Sequence, residues 1–294
     1  MKLNIRQYDP KLDAESVFKL WQENFGEHWP LELAIFNQII SSGDHFVETD
    51  NQKITGFIAT QTTGEKASIL TIIGENKELL NFAIQYLKSK QVKQIQLGDG
   101  GNSYFWPGIP TNLPRLMNFF EANNWQFTED SYDLVGDVHD YQTPVNLGQA
   151  KIEIATQKNI KNILEFENKN FPEWHSAYKH KADLGDFDDM FYAEDDDKKI
   201  AGAVFIFSAD SYSAKEHQIW KQLLGEDMGG ICCLGVREDM RKKGIGLAIA
   251  AYASEKLKVR KAGNVFVGYT WLVDWYGKLG YKVWRQYKMS WKQI

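Results

Sequence analysis

A segment between residues 231 and 248 brings together an apolar strand, basic side chains and two glycines. The apolar run ends at Val236, and glycines stand at positions 244 and 246 before a second apolar run. Glycine lets the backbone approach a ligand closely, and the amides at a helix N-terminus point outward with the positive end of the helix dipole. The basic residues beside the glycines are Arg241, Lys242 and Lys243. This combination predicts an anion cradle for a pyrophosphate.

The charge distribution agrees with an anion site near the end of the chain. The 294 residues have a net charge of −5, yet residues 237–294 hold 13 basic and four acidic residues. Residues 1–145 hold 11 basic and 19 acidic residues, and residues 146–236 hold 10 and 16. The acidic part would attract a cationic substrate, and the overall charge argues against a nucleic-acid partner. A solvated basic face is the alternative explanation for the last segment.

The two cysteines, Cys232 and Cys233, are adjacent in an apolar strand. Neighbours in a strand point to opposite faces, so they neither staple a fold nor supply enough ligands for a metal. We therefore expect no metal site and no secreted disulfide scaffold. No apolar run approaches the roughly 18–20 residues that span a bilayer, and the first six residues alternate in polarity. These features predict a cytoplasmic protein with no membrane partner.

The elements that must position the cradle occur in two copies. Alternation over residues 3–8 predicts a strand, and apolar residues at helical spacing over 17–25 predict a helix after it. The same order returns at 152–155 and 160–171, about 147 residues later. Residues 118–127 also align with 274–283, each predicted as a helix end, a turn at Asn124 or Gly280, and a strand that opens with an aromatic residue.

The predicted elements between these segments follow one path in both copies. Copy one has strands near 44–50, 53–62, 66–73 and 93–97 and helices near 76–90 and 112–123; copy two has strands near 188–194, 199–207, 231–236 and 265–269 and a helix near 244–260. A polar segment at 141–148 with Pro and Gly reads as a linker. The sequence thus predicts an α/β fold of two tandem domains, 1–142 and 149–294, each a mixed, mostly antiparallel sheet flanked by helices.

The cradle resembles the signature of the GNAT superfamily of N-acetyltransferases, which is Arg or Gln, two residues, Gly, one residue, then Gly or Ala, after a strand ending in Val. Arg241, Gly244 and Gly246 match it. The resemblance implies acetyl-CoA as the donor substrate. It further implies cofactor-binding residues in the strand and the cradle, namely Leu234, Gly235, Val236, Arg241, Lys242, Lys243, Gly244, Ile245, Gly246 and Leu247.

A second family feature is a Tyr followed four residues later by Gly and an aromatic, matched by Tyr276, Gly280 and Tyr281. The sequence departs from the family where an Asn is common seven residues before the tyrosine, since Tyr269 stands there. The resemblance implies direct attack of a neutral amine on the thioester. A backbone N–H near Leu234 would then stabilise the oxyanion, and Tyr276 would protonate the departing thiolate.

Two further chemical roles have candidates in the sequence. Glu216, His217 and Asp274 are candidates for the base that deprotonates the amine, and a water chain is an alternative. Cys232 and Cys233 raise the option of a thiol that is acetylated first. Buried strand cysteines commonly behave as small hydrophobes, which disfavours that route.

Copy one resembles the same fold without the machinery. Its equivalent strand, 68–73, runs straight into a helix with no basic cluster, and Phe120 takes the place of Tyr276. The chain is therefore similar to tandem GNAT proteins in which one domain is degenerate. We expect copy two to acetylate the primary amine of a small molecule, and assembly as a homodimer is compatible with this. The alternatives are a protein or peptide amino group as acceptor, or a non-catalytic acyl-CoA-binding regulator; use of charged tRNA is disfavoured by the acidic charge.

Overall fold

The computed structural model of the protein describes residues 4–98, 105–144 and 151–294. The helices are Pro10–Phe25 (α1), Leu33–Ile39 (α2), Lys77–Ser89 (α3), Pro114–Ala122 (α4), Ile160–Asn170 (α5), His175–Leu184 (α6), Ala214–His217 (α7), Lys221–Leu224 (α8), Ile245–Val259 (α9) and Val273–Gly277 (α10). The strands are Asn4–Gln7 (β1), Asp44–Asp50 (β2), Lys53–Thr63 (β3), Lys66–Ile73 (β4), Gln94–Leu97 (β5), Ile109–Pro110 (β6), Glu129–Asp137 (β7), Lys151–Ile154 (β8), Met190–Glu194 (β9), Ile200–Phe207 (β10), Gly229–Val236 (β11), Asn264–Thr270 (β12), Lys282–Met289 (β13) and Trp291–Gln293 (β14).

The chain divides into two compact units. Unit 1 comprises Met1–Tyr132 and Arg285–Ile294, and unit 2 comprises Asp133–Trp284. The end of the chain belongs to unit 1 because β14 pairs antiparallel with β5. The domain boundaries 1–142 and 149–294 stay a prediction, and part of the predicted linker, 145–148, lies outside the described residues.

Unit 1 contains a mixed sheet in the order β1-β2-β3-β4-β5-β14. Its pairs are antiparallel except β4 with β5, which is parallel. The hairpin between β2 and β3 turns at Asn51 and Gln52, which have φ of 47° and 70°. Asparagine tolerates such angles, so the turn follows from the sequence. Helix α1 buries Val17, Trp21 and Phe25 at helical spacing against this sheet.

Unit 2 repeats the pattern. Five of its strands lie side by side in the order β12-β11-β10-β9-β8. The pairs from β8 to β11 are antiparallel, whereas β11 and β12 are parallel. Helix α9 buries three small residues, Ala248, Ala250 and Ala251, together with Ile249, and small side chains let a helix approach a sheet closely. The predicted mixed, mostly antiparallel sheets flanked by helices are thus confirmed.

The predicted correspondence between the two copies is visible in how α4 and α10 end. Asn124 has φ of 61° and Gly280 has φ of 89°, so both stand in the left-handed region. The amide of the next aromatic residue bonds the carbonyl five residues earlier in each copy. These bonds are Trp125 N to Phe120 O, 3.1 Å, and Tyr281 N to Tyr276 O, 3.3 Å. The same helix-end geometry therefore serves Phe120 and Tyr276.

Candidate active site

A β-bulge interrupts strand β11 at the predicted acetyl-transfer position. Strand β10 pairs Phe205 with Cys232 and Ala203 with Gly235, so two residues of β11 face one residue of β10. Cys233 takes up the extra length with φ of 50°. A bulge re-aims the backbone that follows it, here the segment that begins at Leu234.

Two aromatic residues from helix α6 and the turn before it hold this bulge. The Tyr178 hydroxyl donates a hydrogen bond of 3.0 Å to the Cys233 carbonyl. The Phe171 ring lies so close over Gly235 that a Cβ there would stand 2.4 Å from a ring carbon. Glycine at 235 is required by this close approach, and Tyr178 is fully buried.

Beyond the bulge, β11 separates from its parallel neighbour. In the described part of unit 2, pairing between β11 and β12 is confined to Gly229 with Val265 and Gly230 with Phe266. The strands continue to Val236 and Thr270, so the edge at Leu234–Val236 opens on the β12 side. An open edge of extended backbone is the kind of surface that pairs with an extended, amide-bearing ligand.

The predicted cradle lies at the N-terminus of α9. Residues 241–244 are exposed and residues 245–247 are partly buried. The first intrahelical bond runs from Ala248 N to Gly244 O at 3.0 Å, and helix geometry leaves the amides of 245–247 without helical acceptors. The Arg241 guanidinium folds back, and its Nε donates to the Val236 carbonyl at 3.0 Å. Basic charge and outward amides therefore meet at one point, as an anion site requires.

The two cradle positions, 244 and 246, require glycine for different physical reasons. Gly244 caps α9 with φ of 82° and faces open space, so it is needed for its backbone angle. At Gly246 an added Cβ would lie 3.2 Å from Val236 and 3.3 Å from Trp275, so this glycine lets the helix pack closely. The spacing of the motif thus combines a turn requirement with a packing requirement.

Arg237, which the sequence reasoning missed, braces the segment between β11 and the cradle. Its guanidinium binds Asp195 at 2.7 Å, Asp239 at 2.6 Å and the Ile200 carbonyl at 3.0 Å. The hydrogen bonds that Arg237 donates to Asp239 and Asp195 raise the pKa of its guanidinium. Asp195 also accepts from the amides of residues 197 and 199, so the acidic turn at 194–197 has a structural role. The sequence did not reveal this role of Arg237, because Asp195 lies 42 residues away along the chain.

Tyr276 lies on α10 and is 6% exposed. Burial, and then the neighbouring Cys232 and Cys233, raise the pKa of its hydroxyl. A raised pKa keeps the hydroxyl protonated at neutral pH, which is the form a proton donor needs. Cys232 is buried and Cys233 is partly buried, and neither forms a disulfide bond. Strand β11 therefore lies near the predicted proton donor.

The three candidate bases lie in different environments. His217 is 8% exposed and its ring stacks on Phe207 at 5.2 Å. Burial, followed by the charges of Lys181 and His180, lowers the pKa of His217 to about 3, so it is neutral. Glu216 pairs with His180 at 2.8 Å near the surface, and Asp274 is exposed on α10. Each stays a prediction.

One buried carboxyl near the bulge, Glu167 on α5, escaped the sequence reasoning. It is fully buried. Burial, and then the charge of Glu173, raise its pKa to about 8. Little in the sequence indicated that Glu167 is buried, because the burial of a helical residue depends on which other segments pack against it.

Unit 1 has a different arrangement where unit 2 has its cradle. Asn76 caps α3 by accepting from the Glu78 amide at 2.7 Å, and its side-chain amide also bonds Glu48. Glu48 is buried, and burial raises its pKa. Glu75 adds a further carboxylate just before the helix. A capped helix start lined by carboxylates disfavours a pyrophosphate, in keeping with a degenerate copy.

The described ranges 4–98, 105–144 and 151–294 lack two features. No group of three or more His, Cys, Asp or Glu side chains in them is arranged to hold a metal ion. Among the helices they contain, none has the length and apolar character needed to cross a membrane.

The chain has clear relatives. Residues 159–281 match the family model described as the Acetyltransferase (GNAT) family. The chain is similar in structure to a glucosamine N-acetyltransferase region of a fungal multi-domain GH3 β-N-acetylglucosaminidase, with a TM-score of 0.90 and 26% identity over 99% of this chain. This chain spans 38% of the length of that protein. No curated protein matches its sequence.

Two other solved structures share the fold over nearly the whole chain. A GCN5-related N-acetyltransferase from Sphaerobacter thermophilus aligns with a TM-score of 0.75 and 13% identity, covering 99% of this chain and 95% of that one. A tandem GNAT protein from the clavulanic acid biosynthesis pathway aligns with a TM-score of 0.67 and 10% identity, covering 99% and 98%. Both share the fold of this chain, and the second is described as a tandem GNAT protein.

Proposed function

Residues 159–281 match the model of the GNAT acetyltransferase family, and from that premise we propose that the protein transfers the acetyl group of acetyl-CoA to a primary amine of a small molecule. The observation that carries the proposal is the bulged strand β11, which opens at Leu234–Val236 and leads into the cradle at the start of α9. An open strand edge that is followed along the chain by an anion site fits a ligand that has amides at one end and phosphates at the other.

The residues present fit acetyl-CoA. Leu234, Gly235 and Val236 offer extended backbone for the pantetheine amides. The cradle offers backbone amides and positive charge for the pyrophosphate. The amides belong to Gly244, Ile245, Gly246 and Leu247, and the charges to Arg241, Lys242 and Lys243. When bound, the donor supplies a thioester whose carbonyl carbon accepts the amine.

Two groups of the chain act on the reacting atoms in this proposal. The backbone N–H near Leu234 donates to the developing oxyanion, because the bulge turns that part of β11 away from regular pairing. Tyr276 donates its proton to the departing thiolate, and its buried hydroxyl is protonated at neutral pH.

For the acceptor, we propose an amino sugar such as glucosamine. The fungal region that shares 26% identity with this chain is described as a glucosamine N-acetyltransferase. Residues 146–236 also have an excess of acidic side chains, which favours an acceptor that arrives as a cation. A protein amino group and a purely regulatory acyl-CoA site are the other outcomes of the test.

The first experiment measures acetyl-CoA binding by calorimetry and acetyl transfer to glucosamine by CoA release and product mass. We expect wild type to bind and transfer, and Arg241→Glu with Gly244→Glu to lose binding. Tyr276→Phe should retain binding and lose about 100-fold in kcat, the range for one general acid. Tyr252→Phe on α9 is the matched control and should behave as wild type.

Acetylation of peptides but not of glucosamine would show a protein acceptor. Binding without transfer to any amine, with Tyr276→Phe identical to wild type, would favour a regulatory site. Absence of acetyl-CoA binding in wild type would refute the proposal.

A further inference from the structure

Glu167 has a buried carboxyl group that no hydrogen bond or ion pair among the described residues stabilises. None of its surface reaches solvent. Within the described residues, neither carboxyl oxygen has a hydrogen-bond partner, and no basic side chain forms an ion pair with it. Burying a carboxyl without partners costs free energy, because the group gives up its hydration and receives nothing in return.

Two contacts relate Glu167 to the bulge of β11. The main-chain amide of Phe171 donates to the main-chain carbonyl of Glu167 at 2.7 Å, which fixes Phe171 one helical turn after Glu167, and the ring of Phe171 covers Gly235. Tyr178, which holds the Cys233 carbonyl, also feels the charge of Glu167: burial raises the pKa of Tyr178 most, and Glu167 adds to that. Glu167 thus neighbours both aromatic residues that shape the acetyl-transfer strand.

Within the part of the chain that the structure describes, no Lys, Arg or His side chain forms an ion pair with Glu167. Glu173 adds a negative charge, and the Tyr178 hydroxyl stays protonated at neutral pH because burial raises its pKa. Strand β10, against which α5 packs, consists of apolar residues and a glycine. Lys161, on the same helix, pairs with exposed Glu165 at 3.7 Å. A cation that completes this environment must come from a ligand.

We propose that Glu167 is the base that takes the proton from the acceptor ammonium, directly or through one water. This inference rests on the proposed function, because it needs an amine acceptor. An arriving ammonium favours the ionised carboxyl by Coulomb attraction, so binding of the acceptor itself converts Glu167 into a base.

The protons and bonds then balance. The ammonium gives one proton to Glu167 and becomes a neutral amine, which forms the N–C bond to the acetyl carbon. The C–S bond breaks, and the thiolate takes the Tyr276 proton. The second proton lost by nitrogen restores Tyr276, and the proton on Glu167 passes to water. The products are the acetamide, CoA thiol and one released proton.

Glu167→Gln keeps the shape of the side chain and removes its ability to accept a proton. With glucosamine and acetyl-CoA as substrates, we expect kcat/KM at pH 7 to fall about 100-fold, the usual contribution of a general base. The loss should shrink as pH rises and the free amine predominates, while the Kd for acetyl-CoA stays unchanged. Glu165→Gln, on the exposed side of the same helix, is the control and should leave the pH profile unaltered.

Glu167→Asp retains a carboxyl, and we expect it to recover part of the rate and the wild-type form of the pH profile. A merely structural role would lower the rate of Glu167→Gln by the same factor at every pH. That result, or a pH profile identical to wild type, would overturn the inference.

A second measurement does not depend on turnover. Titration of the Glu167 carboxyl by carbon NMR, with and without glucosamine and without acetyl-CoA, should show its pKa lowered by at least one unit when the amine is present, about a tenfold shift in its ionisation. An unchanged pKa would overturn the inference. Failure of the proposed function is distinguishable, because wild type would then neither bind acetyl-CoA nor acetylate glucosamine.

Discussion

The absence of a side chain at Gly235 allows the Phe171 ring to pack directly on strand β11. The Phe171 ring occupies the space that any Cβ would need. Gly277, in contrast, has open space around its Cα. These two glycines allow the steric requirement to be separated from a general effect of glycine replacement on the backbone.

For Gly235→Ala we expect a loss of about 1–3 kcal/mol in the free energy of unfolding, because the ring or the strand must shift. Acetyl transfer should fall more than acetyl-CoA binding. Denaturant unfolding and the transfer assay measure both effects, with Gly277→Ala as the stability control. A Gly235→Ala protein as stable and active as wild type would contradict the packing described here.

Glu167 also predicts a pH dependence of stability. Burial raises its pKa to about 8 from the ordinary 4.5, so the folded state resists ionisation that the unfolded state allows. The contribution of Glu167 to stability is therefore present below about pH 4.5 and is lost as pH rises towards 8. Glu167→Gln should gain relative to wild type over this window, by about 5 kcal/mol at most.

Urea unfolding at pH 5 and pH 8.5, of wild type and of Glu167→Gln, measures this gain. Glu165→Gln should show no such difference between the two pH values. An advantage of Glu167→Gln that is equal at both pH values would show that the carboxyl ionises normally in the folded protein.

At the scale of elements, helix α6 positions strand β11. Tyr178 is the contact through which it does so, by its bond to the Cys233 carbonyl. A buried cluster ties the same helix to its surroundings: Lys181 pairs with Asp189 at 2.5 Å and Asp186 at 3.4 Å, and it donates to Ser213 at 2.8 Å. A helix held by such a cluster is a firm support for a bulge, because breaking a buried ion pair is costly.

Tyr178→Phe should lower the free energy of unfolding by about 1–2 kcal/mol, since a buried hydrogen bond is lost. It should also reduce acetyl transfer, because the bulge loses its support. Tyr192→Phe on β9 is a matched control: its hydroxyl accepts from Asn159 at 3.1 Å, well away from the bulge in sequence. Comparable destabilisation of both variants with unequal loss of transfer would support the assignment; equal activity would contradict it.

At the scale of the whole molecule, the two units repeat one strand pattern but differ at the start of the helix that follows the central strand. In unit 2 that start carries glycines and basic residues, and in unit 1 it carries Asn76, Glu75 and Glu78. We expect one acetyl-CoA per chain, because carboxylates at the capped helix in unit 1 repel phosphate.

Calorimetric titration of the full chain gives this stoichiometry. The expected value is one, and Arg241→Glu with Gly244→Glu should abolish it entirely. Glu75→Gln with Glu78→Gln in unit 1 is the control and should leave both the stoichiometry and the affinity unchanged. Two equivalents bound to wild type would show that unit 1 has a cofactor site of its own.

Much of the fold and part of the site could be predicted from local signals. Strand alternation, helical spacing and turn residues such as Asn51 and Asn124 act over a few residues, so the predicted elements agree closely with the observed ones. The cradle at Gly244 and Gly246 is local for the same reason, since one strand end and one helix start form it.

Only the tertiary structure decided which side chains surround that local motif. The bond from Tyr178 to Cys233 joins residues 55 positions apart, and that from Arg237 to Asp195 joins residues 42 apart. Glu167 became notable only through burial, and the shift in its pKa comes from desolvation by packed neighbours. Local sequence determined the helices, the strands and the anion cradle, because backbone preferences act over short range. Packing between distant segments decided the support of the bulge and the ionisation of the groups beside it, because desolvation depends on every group that excludes water.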